Sequence, residues 1–229
     1  MKRLSQLFKG PHKTSYSQCG EDLIAAFLLY GYLGLAKPSY LDIGAHDPIV
    51  LSNTFLFYQN GSSGVCVEPD PLLHTKIKRR RRRDTCLNVG VGSSSENSAD
   101  FYVMSTKALS TFSKVDAQRY SQMTQTIQQV IELPLITINE VIERHFAPHP
   151  NFISLDTEGM DLAIIKSLDF ERYRPEVFCI ETLTYTEDKS EEKIPDIIDY
   201  MRANGYIVYA DTYINTIFVE RESWSARRS

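Results

Sequence analysis

A chain of 229 residues is long enough to bury a substantial core, as one large domain or two very small ones. With 42% apolar and 24% charged residues it reads as an ordinary globular protein, and a net charge of −4 speaks against a general nucleic-acid binder. The four cysteines (Cys19, Cys66, Cys86, Cys179) form no C-x-x-C pair and read as reduced core residues of a cytoplasmic protein.

Residues 15–30 predict a helix, capped by Ser17 and opened by Gly20, Glu21 and Asp22, because acidic groups in a first turn favour the helix dipole. The apolar stretch 23–36 is broken by Gly31 and Gly34 and is too short to cross a bilayer; its flanks lack the marks of a secretion signal. Next comes Leu41-Asp42-Ile43-Gly44-Ala45-His46, a strand that turns at once through a glycine. About two dozen positions on, Val65-Cys66-Val67-Glu68-Pro69-Asp70 is a second strand. Between them, Asp47-Pro48 looks like an N-cap with a first-turn proline, followed by a helix through Phe55, Leu56 and Tyr58 that Asn60-Gly61 stops.

Residues 72–83 predict a crossover helix, and 85–89 a third strand ending in Asn88. An extra strand is expected at 99–104, then a long polar loop over 105–130 and a short helix at 135–144. Residues 151–155 form a strand ending in Asp156-Thr157-Glu158-Gly159, with a helix at 161–168. Residues 177–180 form the next strand, ending in Glu181-Thr182, before a helix at 194–204 and closing strands at 206–210 and 216–219. Strands alternating with helices predict an α/β fold: a doubly wound, mostly parallel sheet.

In such a sheet ligands bind beyond the carboxyl ends of the strands. Asp42, Glu68, Asn88, Asp156 and Glu181 all fall at predicted strand ends, so a polar site is expected there. Glu68 stands where these folds place the carboxylate that grips a ribose. The G-x-G-x-x-G of a dinucleotide site is missing: Gly44 is followed by His46 and Asp47, and Asp47 would repel a pyrophosphate. The site therefore suits a nucleoside without phosphates, of which S-adenosylmethionine is the commonest cofactor. At the other end Asp156, supported by Glu158 and Glu181, is the candidate general base or ligand for a hard cation. His46 is the alternative base. The basic run 76–83 reads as a solvated helix face, with contact to phosphate on an anionic lipid surface or a substrate as the sharper option.

With these residues placed, the chain resembles the FkbM family of S-adenosylmethionine-dependent O-methyltransferases along most of its length. The matching segments are Ser17-Gln18-Cys19-Gly20-Glu21-Asp22, Asp42-Ile43-Gly44-Ala45-His46, Ser52-Asn53-Thr54 and Val67-Glu68-Pro69-Asp70. They continue through Asn88-Val89-Gly90-Val91, Leu109-Ser110-Thr111-Phe112, the run from Ser154 to Asp161, and Arg174-Pro175-Glu176 with Glu181.

The resemblance implies a class I methyltransferase fold, Rossmann-like, with a seven-stranded sheet and a single domain over 1–229. Within it, 1–37 would be an N-terminal helical lid segment and 38–229 the core. It implies methylation of a hydroxyl on a sugar or glycan, a deoxysugar included, or on a polyketide-type product. The cofactor set it implies is Asp42, Gly44, Ala45, Glu68, Pro69 and Asp156, with Asn88 near the adenine. Gln18 and Glu21 would close over the methionine end or the acceptor, and Asn53 would line the same pocket. A weaker similarity, to catechol-type methyltransferases, places Asp156 and Glu181 where a Mg²⁺ or other divalent cation is held, although Thr182 replaces an amide and Gly159 a lysine. An RNA ribose acceptor, a nicotinamide-dependent oxidoreductase and a non-catalytic cofactor-binding module are the rival readings.

Overall fold

The computed structural model describes residues 14–93, 97–122, 125–157, 159–183 and 192–226. In chain order the strands are β1 (Tyr40–Ile43), β2 (Gly64–Val67), β3 (Thr85–Leu87), β4 (Gly90–Gly92), β5 (Ser98–Met104), β6 (Ile127–Thr137), β7 (Phe152–Leu155), β8 (Val177–Glu181), β9 (Tyr206–Asp211) and β10 (Asn215–Glu220). Seven of them form one sheet in the order β3-β2-β1-β7-β8-β10-β9. All neighbours from β3 to β8 run parallel, and β10 is antiparallel to both β8 and β9. Every residue of β1 and β7 is buried, as expected where helices cover both faces of a parallel sheet.

One face carries α1 (Glu21–Ala26, prolonged by a π-helical turn over Phe27–Tyr32), α2 (Phe55–Gln59) and α3 (Pro71–Arg80). Ala25, Leu28, Leu29 and Phe57 meet Tyr40, Phe152 and Cys179 there, while Ile77 of α3 packs on Cys66. Beside the main sheet stands a smaller one, β4-β6-β5, on which α4 (Lys114–Gln122) rests through Ala117 and Tyr120. The opposite face of the main sheet is covered by α5 (Ile138–His145), α6 (Asp161–Ser167) and α7 (Pro195–Ala203), whose Val141, Ile164, Ile165 and Met201 pack on Leu41, Ile43 and Ile153. A short α8 (Arg221–Ala226) closes the described chain. Strand order reverses between β1 and β7, and that switch point positions the site.

Four local expectations give way. The first helix starts at Glu21, not at 15: Gly20 precedes it with φ 94°, and Ser17 Oγ accepts from the N–H of Gly20 and Asp22 in the lead-in turn. Asp47 opens no helix; its carboxylate accepts from the N–H of Ile49 and Val50, and α2 begins only at Phe55, where Ser52 Oγ takes the first orphan N–H. The segment 105–130 holds a 3-10 turn at Lys107–Leu109, α4 and the start of an eleven-residue strand, β6. Leu135 and Ile136 pair with Gly90 and Val91 as the end of β6, and the helix starts after them in a capping box between Thr137 and Glu140.

Candidate active site

The carboxyl ends of β1, β2, β7 and β8 open into one cavity of about 380 Å³. Gly44, His46, Glu68 and Pro69 line one end, and Asp156, Thr157 and Glu181 line the other. Val89, Val91, Phe101, Leu109 and Phe112 form an apolar wall contributed by the smaller sheet, its 3-10 turn and the residues flanking them.

At the first end, Gly44 has φ +82°, and a Cβ there would stand 1.7 Å from the carbonyl oxygen of Asp156. The N–H of Asp156 in turn donates to Ile43 O at 3.1 Å. Glycine is therefore demanded by the neighbouring strand, which comes closer than any ligand could.

Glu68 is 5% exposed. One carboxylate oxygen accepts from the N–H of His46 at 2.8 Å and the other from the N–H of Asp70 at 2.7 Å. Burial outweighs these two bonds and raises its pKa to about 7. Each oxygen retains a lone pair, so the group can still accept two ligand hydroxyls. Asn88 fixes this turn from behind, donating to the carbonyls of Glu68 (2.9 Å) and Pro69 (2.8 Å).

At the second end Asp156 is hydrogen-bonded to Glu181 across the adjacent tips of β7 and β8. Burial, then the charge of Asp161, push the Asp156 carboxyl up to about 7, against the pull of the Glu181 bond. Asp161 itself is turned away, accepting from the N–H of Thr157 (3.0 Å) and Gly159 (3.4 Å) to close the loop into α6. His46 lines the cavity in a left-handed conformation, φ 48°, and burial lowers its pKa, so its imidazole is neutral at physiological pH.

Of the residues singled out from sequence, Gln18, Gly44, His46, Glu68, Pro69, Asp156 and Glu181 line this cavity. Five others do not. Asp42 turns its carboxylate to the opposite side of β1, where Thr54 Oγ1 donates to it and the Arg81 guanidinium stands 3.6 Å away. Glu21 is fully buried and is held by Thr212, Asn215 and the N–H of Cys19, tying α1 to the closing hairpin. Asn53 donates to Ser154 Oγ at 3.1 Å, and Ala45 is buried with its N–H on Val67 O. Asn88 is spent on the β2 turn, as described. Glu158 lies outside the described residues.

The apolar wall was not legible in advance as part of the site, although Leu109-Ser110-Thr111-Phe112 stood out as a motif. Met160, inside the motif run from Ser154 to Asp161, lines the cavity too, as do Lys107, Leu183 and Ile214, which carried no signal in the sequence.

A family model for the methyltransferase FkbM domain matches residues 42–208. The chain belongs to the FkbM methyltransferase family. No curated protein matches it. Among solved structures it is similar to a TehB-like SAM-dependent methyltransferase from Corynebacterium glutamicum, with 9% identity over 96% of this chain and 95% of that one and a TM-score of 0.47. It is similar to an O-methyltransferase from Bacillus cereus in complex with SAH (12% identity, 94% and 84% covered, TM-score 0.43). A putative RNA methyltransferase from Pyrococcus horikoshii gives 13% identity, 96% and 99% covered, and a TM-score of 0.44.

The cavity of this FkbM methyltransferase fits S-adenosylmethionine in the chemistry of its donors. A carboxylate with free lone pairs at the tip of β2 suits ribose hydroxyls, and the apolar wall beside it suits a purine. Nothing at the first turn calls for a phosphate. The donors fit a divalent cation poorly: among the described residues no three His, Cys, Asp or Glu side chains converge on one point, and Asp156 and Glu181 are bonded to each other. Among the described residues no helix is long and apolar enough to cross a membrane.

Proposed function

We propose that this FkbM methyltransferase transfers a methyl group from S-adenosylmethionine to a hydroxyl oxygen of a sugar or glycan, deoxysugars included. The single observation behind this reading is the Asp156–Glu181 pair, placed in the same cavity as Glu68. An aliphatic hydroxyl loses its proton about as reluctantly as water, with a pKa near 15.7. It therefore needs a base positioned to take that proton as the new bond forms. Asp156, with its pKa raised to about 7, combines basicity with substantial ionisation at neutral pH. Glu181 flanks it in the same cavity as a second polar group for a neighbouring hydroxyl, which suits a polyhydroxylated substrate better than an apolar one.

The cofactor supplies an electrophilic methyl carbon on a sulfonium and leaves as a neutral thioether. The chain supplies the rest: Glu68 anchors the nucleoside, the apolar wall excludes water, and ionised Asp156 receives the hydroxyl proton while protonated Glu181, donating to it, keeps it oriented. His46 sits at the nucleoside end beside Glu68, which argues for positioning rather than proton transfer.

Replacing Asp156 by Asn tests the assignment. Turnover on hexose and deoxysugar acceptors is expected to fall about 10²- to 10⁴-fold, as for loss of a general base. Calorimetry is expected to show S-adenosylhomocysteine affinity nearly unchanged. Turnover equal to the parent enzyme, or a product methylated on nitrogen or carbon by mass spectrometry, would reject the reading.

A further inference from the structure

The basic run on α3 is divided by the fold. Arg81 is 0% exposed and engaged below the sheet, whereas Lys76, Lys78, Arg79, Arg80, Arg82 and Arg83 are all exposed. Among the described residues none of these six forms a salt bridge. Six unneutralised cations within eight positions are a strong local field in a chain of net charge −4.

The second observation concerns apolar side chains. Leu72, in the first turn of α3, is 67% exposed, and Val50 and Leu51, in the loop that follows β1, are 63% and 54% exposed. These segments leave neighbouring parallel strands at the same edge of the sheet, and Leu51 also lines the cavity. Leu72, Lys76 and Arg79 follow one another at helical spacing, so one face of α3 runs from an exposed leucine into a row of cations. Asp70, which caps α3, pairs with Lys107 of the cavity lining at 3.4 Å, which puts the head of this face beside the mouth.

We infer that this face is a docking surface for an anionic lipid bilayer, with Leu72, Val50 and Leu51 entering the interface and the cations of α3 lying on the headgroups. The combination decides the class of partner. Apolar side chains at the head of a cationic face gain by leaving water for lipid, whereas a nucleic-acid backbone offers them nothing. A net negative chain is repelled by a long polyanion but tolerates a flat contact through one cationic face, since repulsion fades within a Debye length. The cavity then opens next to the membrane, within reach of an acceptor carried on a lipid. The docking itself does not depend on the acceptor proposed above.

Sedimentation of the full chain with vesicles tests this. Binding is expected to vesicles containing about one third phosphatidylglycerol and not to pure phosphatidylcholine, and to weaken with added salt. Lys76→Glu/Arg79→Glu/Arg80→Glu is expected to lower the partition coefficient at least about tenfold, from the loss expected per surface charge. If that variant melts early, Lys76→Gln/Arg79→Gln supplies the comparison at lower charge cost. Leu72→Ser, which alters no charge, is expected to lower it about threefold or more. Equal sedimentation with both vesicle types, or with neither, overturns the proposal. So does an unaltered Leu72→Ser variant combined with salt-dependent binding to a short RNA duplex. Methyl transfer to a soluble sugar, measured in parallel, reports on the functional reading separately.

Discussion

Gly44 and Asp156 are locked against each other at the point where the sheet reverses its strand order. The space a Cβ on Gly44 would need is taken by the carbonyl oxygen of Asp156, 1.7 Å from where that carbon would lie. The segment that turns away from β1 and the residue that follows β7 are thus fixed as one unit, and β7 delivers the proposed base.

Gly44→Ala is expected to injure both stability and catalysis. The positive φ and the overpacking against backbone together cost on the order of 2–4 kcal/mol, because a carbonyl cannot swing aside as a flexible side chain can. Chemical denaturation should show this as a lower midpoint. Relief of the clash moves Asp156, so turnover measured well below the melting temperature should still fall at least about tenfold, as misplacement by an ångström does. A destabilised variant with normal turnover when folded would break the link between the two residues.

Much of this arrangement could be read from residues alone. Apolar runs closing on Glu68, Asp156 and Glu181 gave the strand ends, because a strand's last residue and the loop after it are local in sequence. Direction of side chains was not local. Asp42 lies at a strand end like Glu68, yet its alternate position on β1 points it at Arg81 and away from the cavity. Arg81 looked like one more cation in a solvated run. Its burial depends on Asp84, Thr54 and Asp42, which are 3, 27 and 39 positions away. The strand β6 was hidden by its own composition, since Gln128, Gln129 and Glu132 lie on exposed positions of a sheet with one face in water.

Arg81 is expected to be the single most costly surface-looking cation to remove. Its guanidinium lies 2.7 Å from Asp84, 3.6 Å from Asp42 and 2.8 Å from Thr54 Oγ1, with Tyr40 beneath its plane at 5.3 Å. Arg81→Met leaves Asp42 buried without its cation, and this should cost about 3–5 kcal/mol in denaturant unfolding. Adding Asp42→Asn should return part of that loss, giving a positive coupling in a double-mutant cycle. Arg79→Met and Arg82→Met, on exposed positions of the same run, should move stability by less than about 0.5 kcal/mol. Equal effects at all three positions would mean that the buried arginine is held no more tightly than its exposed neighbours.

The pH response of cofactor binding should follow Glu68. Its pKa in the folded protein is raised to about 7, chiefly by burial, above the 4.5 of an unperturbed glutamate. For a carboxylate raised in this way, the favourable contribution to folding is fully present below pH 4.5 and disappears as pH climbs through 7. The ligand-free protein should therefore lose on the order of 3 kcal/mol of stability across that window through this residue. Ligand binding runs the other way. Ribose hydroxyls donate to the ionised carboxylate, so affinity for S-adenosylhomocysteine should rise about tenfold from pH 6 to pH 8, by linkage to a group titrating near 7. Protons should be released on binding, visible as a calorimetric enthalpy that changes with buffer. Glu68→Gln should bind more weakly and show a flat profile over the same range. A parent enzyme whose affinity is level from pH 6 to pH 8 would mean that Glu68 does not hold the nucleoside.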